Sequence, residues 1–278
     1  MTAVQVAEVV TPAWKARRGV GAFNVIGVEH AEGIVTGAEA AGAPVVLQIS
    51  ENCVKYHRGL TGIGRACLAV AEASAVPVAV HLDHATSWEL VAEAGELGFG
   101  SVMFDASVLP YSDNAEATRA VAAWCHERGI WVEAEIGEIG GKDGAHHPTV
   151  RTRPDEAAEY AAATGIDALA VAVGSSHAML TRDALLDLEL IARIRNAVEV
   201  PLVLHGSSGV PDGMLTAAVT AGLTKINIAT QLNKVFTHAV REYLARDAVA
   251  VDPRRYLAAG RDAIAREVTR LLDVLRAG

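Results

Sequence analysis

Cysteine, aromatic residues and positive charge are all scarce in this chain. Its 278 residues include three cysteines, Cys53, Cys67 and Cys125, whose odd number and irregular spacing predict free thiols in a reducing compartment. Only 5% of the residues are aromatic, and 24 Lys and Arg residues stand against 33 Asp and Glu residues, for a net charge of −9. Because nucleic acids are bound by basic surfaces, this charge argues against a nucleic-acid partner. The negative net charge does not exclude a small anionic ligand, because backbone amides and single cations can hold one.

Long hydrophobic runs are also missing. No apolar stretch reaches the roughly 18 residues of a membrane span, and the N-terminal residues lack the basic-then-apolar layout of a signal peptide. We therefore expect no membrane partner and a cytoplasmic location. Hydrophobic residues nevertheless make up 51% of the chain, mostly as Ala and Val, which suits close packing of helices on strands. Length and composition predict one domain over residues 1–278.

Short β-rich segments alternate with Ala-rich segments along the chain. The eight β-rich segments are 20–25, 44–50, 77–84, 101–107, 130–137, 168–174, 201–209 and 225–230. Helical segments between them, such as 87–98, often end in Gly, the usual residue after a helix. Eight strands alternating with helices predict an α/β fold, a closed (β/α)8 TIM barrel, with additional C-terminal helices at 232–245 and 253–277. The alternative is an open doubly wound sheet, which the lack of G-x-G-x-x-G after the first strand disfavours.

Polar residues collect at the C-terminal ends of these predicted strands. In strand order they are Asn24; Gln48 and Ser50; His81, Asp83 and His84; Asp105 and Ser107; Glu133 and Glu135; His177; His205; Asn227 and Thr230. The N-terminal ends of most of the same segments are apolar residues such as Pro, Val and Ala. Because barrel enzymes build their active sites from C-terminal strand ends, this one-sided polarity predicts an active site at that mouth of the barrel.

Three histidines at equivalent strand ends suggest a metal centre. His84, His177 and His205 follow strands three, six and seven, and three imidazoles suit Zn²⁺ with one position open to substrate. Side chains of neighbouring strand residues diverge, so Asp83 is expected to act as a base near the metal rather than as its ligand. As an alternative, each histidine is an ordinary hydrogen-bonded loop residue.

Other polar residues have structural alternatives. The segment HGSSG at 205–209 is either a plain turn or a nest of backbone N–H groups for phosphate. Asp105 and Glu135 either serve the site or only pair with cations or cap the next helix. Lys225 is the candidate for a Schiff-base mechanism. However, it opens its predicted strand, which is the wrong end for a barrel active site, so a structural role is favoured.

The remaining histidines are expected outside the site. His30, His57, His126 and His238 fall in predicted helices or loops and are expected at the surface. The adjacent pair 146–147 lies in a predicted loop, where neighbouring histidines rarely form a catalytic site.

A series of motifs resembles one enzyme family over roughly residues 4–275. In chain order the motifs are AFNV, VHLDHA, SVMFDAS, VEAEIGEIGG, TGIDALAVAVGSSH, LVLHGSSG, KINIATQL and DPRRYL. They resemble the class II, metal-dependent fructose- and tagatose-bisphosphate aldolases. The resemblance implies a TIM barrel, a catalytic Zn²⁺ and a homodimer or homotetramer. It also implies cleavage of a phosphorylated ketose to dihydroxyacetone phosphate and an aldehyde, glyceraldehyde 3-phosphate.

The resemblance implies a role for each matching residue. Zinc ligands are implied at His84, His177 and His205, with an alternative metal position at Asp105 and Glu135. Substrate and phosphate contacts are implied at Asn24, Ser50, Ala178, Gly206, Ser208, Asn227, Thr230 and, in a neighbouring subunit's site, Arg254. A monovalent cation, Na⁺ or K⁺, is implied beside the phosphate. Asp83 is implied as the base that deprotonates the ketose hydroxyl.

Two departures from the family pattern affect the substrate side of the site. Relatives usually carry Gly where this chain has Ala178, next to the implied phosphate position. Their mobile loop usually supplies a Glu that protonates the enediolate, whereas residues 140–144 read GGKDG here, so that Asp143 or Glu138 takes this part. An aldolase for another phosphorylated ketose and a non-catalytic sugar-phosphate-binding paralogue are therefore kept as alternatives.

Overall fold

Eight parallel strands close into a barrel in chain order. The computed structural model describes residues 3–136, 151–176 and 181–276. Each strand pairs with the next, and the last pairs with the first. The strands are β1 Val20–Asn24, β2 Val45–Ser50, β3 Val78–Ala85, β4 Ser101–Phe104, β5 Trp131–Glu135, β6 Ala168–Ala170, β7 Leu202–Leu204 and β8 Leu223–Ile228. The predicted TIM barrel is confirmed, and the open doubly wound sheet is excluded.

One helix precedes the first strand, further helices lie between the strands, and two helices follow the last strand. Among the described residues they are α1 Val6–Lys15, α2 Val28–Ala41, α3 Glu51–His57, α4 Thr61–Ala73, α5 Trp88–Leu97, α6 Tyr111–His126, α7 Pro154–Thr164, α8 Leu188–Ala197, α9 Asp212–Ala221, α10 Thr230–Arg246 and α11 Pro253–Arg276. Helix α5 shows the expected signals: the Ser87 hydroxyl accepts from the backbone N–H of Leu90, and Gly98 follows with φ 92°. Both predicted C-terminal helices are present.

Several predicted strands have different bounds, and β4 and β7 end at Phe104 and Leu204, before the predicted positions 107 and 209. Strand β6 ends at Ala170 because the next residues pair with loops: the Ala172 N–H donates to the Thr152 hydroxyl, and the Asp187 N–H donates to the Val173 carbonyl. Strand β8 begins two residues earlier than predicted, at Leu223, and it ends before α10 starts at Thr230.

Apolar side chains fill the N-terminal half of the barrel interior. Small and medium residues point inward from the strands, including Ala22, Val46 and Ala79, and all three are fully buried. Helix α1, which the sequence patterns did not predict, packs Val6 and Val10 into the same cluster. Among the described residues, apolar side chains therefore close this end of the barrel.

His30 corrects one sequence prediction. It was expected at the surface, but only 7% of it is exposed, and its ring stacks on Phe236 with centroids 4.8 Å apart. Burial lowers the pKa of this imidazole. The prediction failed because α2 packs its inner face under the C-terminal helices. His57, His126 and His238 are exposed as predicted, and Cys53, Cys67 and Cys125 are free and buried.

Helix α11 packs against α2 through glycines that permit close backbone approach. A Cβ atom on Gly37 would lie 2.5 Å from the Ala265 carbonyl oxygen and 2.8 Å from Val268 Cβ. We expect Gly37→Ala to lower the free energy of unfolding by about 1–3 kcal/mol and Tm by about 2–10 °C in a thermal melt. The matched control is Gly62→Ala in α4, where no atom lies within 4 Å of the added methyl. An unchanged Tm for Gly37→Ala would show that the two helices separate without cost.

None of the helices in the described ranges combines the length and apolar character needed to cross a membrane. Even the 24-residue α11 carries charged residues throughout.

Candidate metal and active site

Inward-facing polar side chains replace the apolar interior toward the C-terminal ends of the strands. The two-residue period of a strand places Asn24, Asp83 and Glu135 above the apolar interior residues of their own strands, and Asn227 above Lys225. Of these, Asp83, Glu135 and Asn227 are at most 6% exposed. The predicted one-sided polarity is therefore confirmed for these strand ends.

An irregularity in β3 brings Asp83 and His84 to the same cluster. The register with β4 shifts between Leu82 and Ala85, and His84 has φ 53°, in the left-handed region that residues with a side chain rarely adopt. Ligand atoms of Asp83, His84 and His205 lie within 4.8 Å of one another. The expectation that the two neighbours diverge is therefore wrong, because it assumed a regular strand.

Asp105 holds the His84 ring in one orientation. The His84 Nδ1 atom lies 2.7 Å from Asp105 Oδ2, so Nδ1 donates its proton to that carboxylate and Nε2 is the nitrogen left for a metal ion. Although burial alone would lower it, the charge of Asp83 and the hydrogen bond to Asp105 raise the pKa of His84 to about 9. The surroundings thus favour a positive charge at this point.

His205 is oriented by Glu133 from below. The His205 Nε2 atom lies 2.9 Å from Glu133 Oε1, and His205 Nδ1 lies 3.6 Å from Glu135 Oε2. The centroids of the His84 and His205 rings are 4.7 Å apart. The backbone is also held, because the Ser175 hydroxyl donates to the His205 carbonyl over 2.6 Å.

The donor set fits a zinc ion. Two groups of side chains each place their ligand atoms within 4.8 Å: Asp83, His84 and His205, and a second group of His84, Asp105 and Glu135. Imidazole nitrogens with carboxylate neighbours are ligands that Zn²⁺ accepts, and each imidazole has a carboxylate on its other nitrogen. The second group matches the predicted alternative metal position. The third predicted histidine, His177, lies outside the described residues.

Two amide side chains flank the Asp83 carboxylate. The Asn24 Nδ2 atom lies 3.4 Å from Asp83 Oδ2, and Asn227 Nδ2 lies 3.5 Å from Asp83 Oδ1. Gln48 orients the first amide, because its Nε2 donates to Asn24 Oδ1 over 2.7 Å. Asp83 is 3% exposed, so its carboxylate is almost fully enclosed by these neighbours.

A buried polar layer below the site was not predicted from the sequence. Lys225 is the third residue of β8 and lies inside the barrel, where its Nζ is 2.8 Å from Glu133 Oε2 and 2.9 Å from Asn227 Oδ1. The prediction that Lys225 opens its strand is thus wrong. His81 lies in the same layer, with its Nδ1 2.6 Å from the Ser101 hydroxyl. Burial, followed by the charge of Lys225, lowers the pKa of His81 well below its usual value. Alternation along β5 and β8 was the signal that could have revealed this layer.

The predicted phosphate-binding residues meet where β7 and β8 end. Gly206 has φ 66°, and the Ser208 hydroxyl accepts from the backbone N–H groups of Ala229 and Gln231, over 3.3 and 3.2 Å. Ser208 therefore caps the start of α10, at Thr230. The Ser207 hydroxyl donates to the carbonyl of Asn227, which joins the two strand ends.

Two other predicted substrate contacts, Ser50 and Arg254, have polar partners within this chain. Ser50 is half-buried and pairs in register with Asp83, but its hydroxyl accepts from the Cys53 N–H at the start of α3. Arg254 is exposed, and Asp252 holds its guanidinium through contacts of 2.8–3.1 Å. Asp143, Glu138 and Ala178, with both departures from the family pattern, lie outside the described residues.

Comparison with known proteins identifies the family. Residues 4–278 match the family model for class II fructose-bisphosphate aldolase. The chain belongs to the class II aldolase family. It is 38% identical over 268 residues to a fructose-bisphosphate aldolase of Geobacillus stearothermophilus, covering 95% of this chain and 93% of that protein. A fructose-bisphosphate aldolase of Giardia intestinalis is 36% identical, with 90% and 85% covered.

A solved structure agrees with this class II aldolase assignment. The crystal structure of the YdjI aldolase from Escherichia coli K12 superposes with a TM-score of 0.86 at 30% identity, covering 99% of this chain and 97% of that one. The protein is therefore an aldolase, a carbon–carbon lyase of a family that acts on phosphorylated sugars. The cluster of Asp83, His84 and His205 at the barrel mouth is the candidate site for that chemistry.

Proposed function

We propose that this class II aldolase cleaves fructose 1,6-bisphosphate reversibly to dihydroxyacetone phosphate and glyceraldehyde 3-phosphate, using zinc. The observation that carries the proposal is the convergence of Asp83 with His84 and His205 at the open end of the barrel. The two relatives named as fructose-bisphosphate aldolases support this sugar. Tagatose 1,6-bisphosphate differs from it only in the configuration at one carbon, so it is the second substrate to test.

The histidines hold the metal, and the carboxylates behind them fix each ring. His84, His205 and, in the proposal, His177 would hold Zn²⁺, which would supply a Lewis acid for the ketose carbonyl. In this arrangement Asp105 is not a metal ligand. Its hydrogen bond to His84 Nδ1 keeps the Nε2 lone pair of His84 directed away from the Asp105 carboxylate. Asp105 and Glu135 form the alternative metal position with His84.

Asp83 is proposed as the general base. Retro-aldol cleavage needs removal of the proton from the hydroxyl on the carbon beyond the bond that breaks. The electron pair of that O–H bond then forms the aldehyde carbonyl, and the pair of the broken C–C bond passes to the dihydroxyacetone phosphate half. The Asn24 and Asn227 amides hold the Asp83 carboxylate in place for this transfer. Asp143 is proposed as the acid that returns a proton to the carbon.

The phosphate groups are proposed to bind at opposite ends of the substrate. Gly206, Ser208, Asn227 and Thr230 lie where β7 and β8 end, and the start of a 17-residue helix provides a favourable field for an anion. Ala178 and a monovalent cation complete this proposed site. Arg254 is proposed to bind the second phosphate in a neighbouring subunit, which requires a homodimer or homotetramer; its exposed position supports this.

The deciding experiment is cleavage of both sugars with dihydroxyacetone phosphate as the readout. The purified protein is assayed as isolated, after removal of metal by a chelator, and after addition of Zn²⁺ or Mg²⁺. We expect activity to disappear with chelation, to return with Zn²⁺ and not with Mg²⁺, and to be higher with fructose 1,6-bisphosphate. Zinc-loaded protein that cleaves neither sugar would contradict the proposal and favour another ketose phosphate or a binding role.

A further inference from the structure

A buried ion pair lies below the site and is used by none of the proposed steps. Lys225 and Glu133 are both fully buried, and Lys225 Nζ lies 2.8 Å from Glu133 Oε2. Removing two charges from water costs a large amount of free energy, which the attraction within the pair often fails to recover. Apolar residues like those of the layer below would fill this space at lower cost. Stability is therefore a poor explanation for this pair.

Each member of the pair makes a second contact toward the site. Lys225 Nζ donates to Asn227 Oδ1 over 2.9 Å, and the Nδ2 of the same amide lies 3.5 Å from Asp83 Oδ1. An amide has one accepting oxygen and one donating nitrogen. Because the ammonium holds the oxygen, the N–H groups are turned to the Asp83 carboxylate. Without Lys225 the amide can rotate and direct its oxygen at the base, where two acceptors repel each other.

Glu133 has the corresponding effect on the metal ligand. Its Oε1 lies 2.9 Å from His205 Nε2, and a carboxylate can only accept there, so the proton of the imidazole is held on Nε2. The lone pair is then on Nδ1, on the side of Glu135 and the metal cluster. Carboxylates behind histidine ligands commonly fix the tautomer in this way.

We propose that Lys225 and Glu133 act as one positioning pair, which directs the Asn227 amide to the Asp83 base and the Nδ1 of His205 to the metal. The pair thereby couples the orientation of the base to that of a metal ligand through a single buried contact. Neither residue touches substrate. This inference rests on the proposed function of Asp83 and His205.

The test uses two double variants, because a single substitution would leave one buried charge without its partner. Glu133→Met with Lys225→Met removes both charges and replaces both side chains by apolar ones of similar length. Zinc affinity is measured by competition with a chromophoric chelator, and kcat and KM are measured with fructose 1,6-bisphosphate. We expect the Kd for zinc to rise by about 10–100-fold. We expect kcat at saturating zinc to fall by more than about tenfold, with KM changed by less than about threefold.

The second double variant, Glu133→Gln with Lys225→Met, separates the two effects. Glutamine keeps an oxygen that can accept from His205 Nε2, so the zinc Kd is expected within about threefold of the wild-type value. Since Asn227 still loses its donor, kcat should remain reduced by more than about tenfold. The destabilised control is Val46→Ala, in the apolar part of the barrel interior. Folded double variants with wild-type kcat and zinc Kd would overturn the proposal.

A measurement on the zinc-loaded wild-type protein keeps the inference testable if neither double variant folds. Nitrogen-15 NMR of labelled histidine reports which ring nitrogen carries the proton. The His205 signals, assigned with a His205→Gln variant, should show a protonated Nε2 and a metal-shifted Nδ1; the opposite tautomer would overturn the proposal. If the wild-type chain cleaves no ketose bisphosphate, the proposed function fails. The zinc affinities and the tautomer then still decide whether Glu133 orients His205.

Discussion

Replacing Asp83 by asparagine is expected to lower kcat by about 10²–10⁴-fold while zinc remains bound. Asparagine has nearly the same shape, but its side chain cannot accept a proton from the substrate hydroxyl. The flanking Asn24 and Asn227 amides lie at hydrogen-bond limits of 3.4 and 3.5 Å, so the exchange introduces no crowding. The measurement is steady-state kinetics with fructose 1,6-bisphosphate, together with zinc content per chain by atomic spectroscopy.

Zinc content decides between two roles for Asp83. Its carboxylate lies in the same 4.8 Å cluster as His84 and His205, so a ligand role is geometrically open to it. A base that is not a ligand leaves zinc content unchanged when it is replaced. Loss of zinc in parallel with activity would contradict the proposed division of roles. The matched control is Asp155→Asn, an exposed residue on α7 that pairs with Arg153 and is expected to leave kcat unchanged.

The barrel and the side of the barrel that carries the site could be predicted from the sequence. Both follow from local patterns: an apolar strand start, a polar strand end and a glycine after the helix. Asn24, Asp105 and Asn227 are each found at the strand end where the pattern placed them. Such patterns report which face of an element is buried, and parallel strands then bring their ends together whatever the loops do.

The relation between Asp83 and His84 could not be predicted in this way. Alternation along VHLDHA suits a regular strand, in which the two side chains point to opposite faces. In the structure the register with β4 shifts, and His84 adopts φ 53° without the glycine that usually marks such a conformation. The shift is a property of pairing between β3 and β4, so a local pattern in β3 alone does not contain it.

Lys225 shows a second limit of local patterns. The sequence predicts that Lys225 opens its strand, at the end of the barrel away from the active site. Its burial is explained only by Glu133 on β5, across the barrel interior, and by Asn227. Glu133, more than ninety positions from Lys225 in the chain, becomes its neighbour only when the barrel is closed.

Replacing His84 by alanine is expected to remove both bound zinc and activity. The change deletes a nitrogen that Asp105 holds in place and that belongs to both groups of possible metal ligands. Zinc content should fall from about one ion per chain to below about one tenth after dialysis. Because a Lewis acid contributes several kcal/mol to the reaction, kcat should fall by at least about 10³-fold. His84 is a better choice than His205, since its side chain is 15% exposed whereas that of His205 is fully buried.

Two further variants make the His84 result specific. His238→Ala removes an exposed imidazole on α10 and should leave zinc content and kcat unchanged. Asp105→Asn leaves the His84 ring in place but weakens its support, so zinc affinity should fall by about 10–100-fold while activity returns at high zinc. Full activity in zinc-free His84→Ala protein would rule out a metal at this cluster. The reaction would then have to depend on Asp83 and the described polar groups around it. A Schiff base on Lys225 is not an alternative, because Glu133 and Asn227 hold its ammonium group.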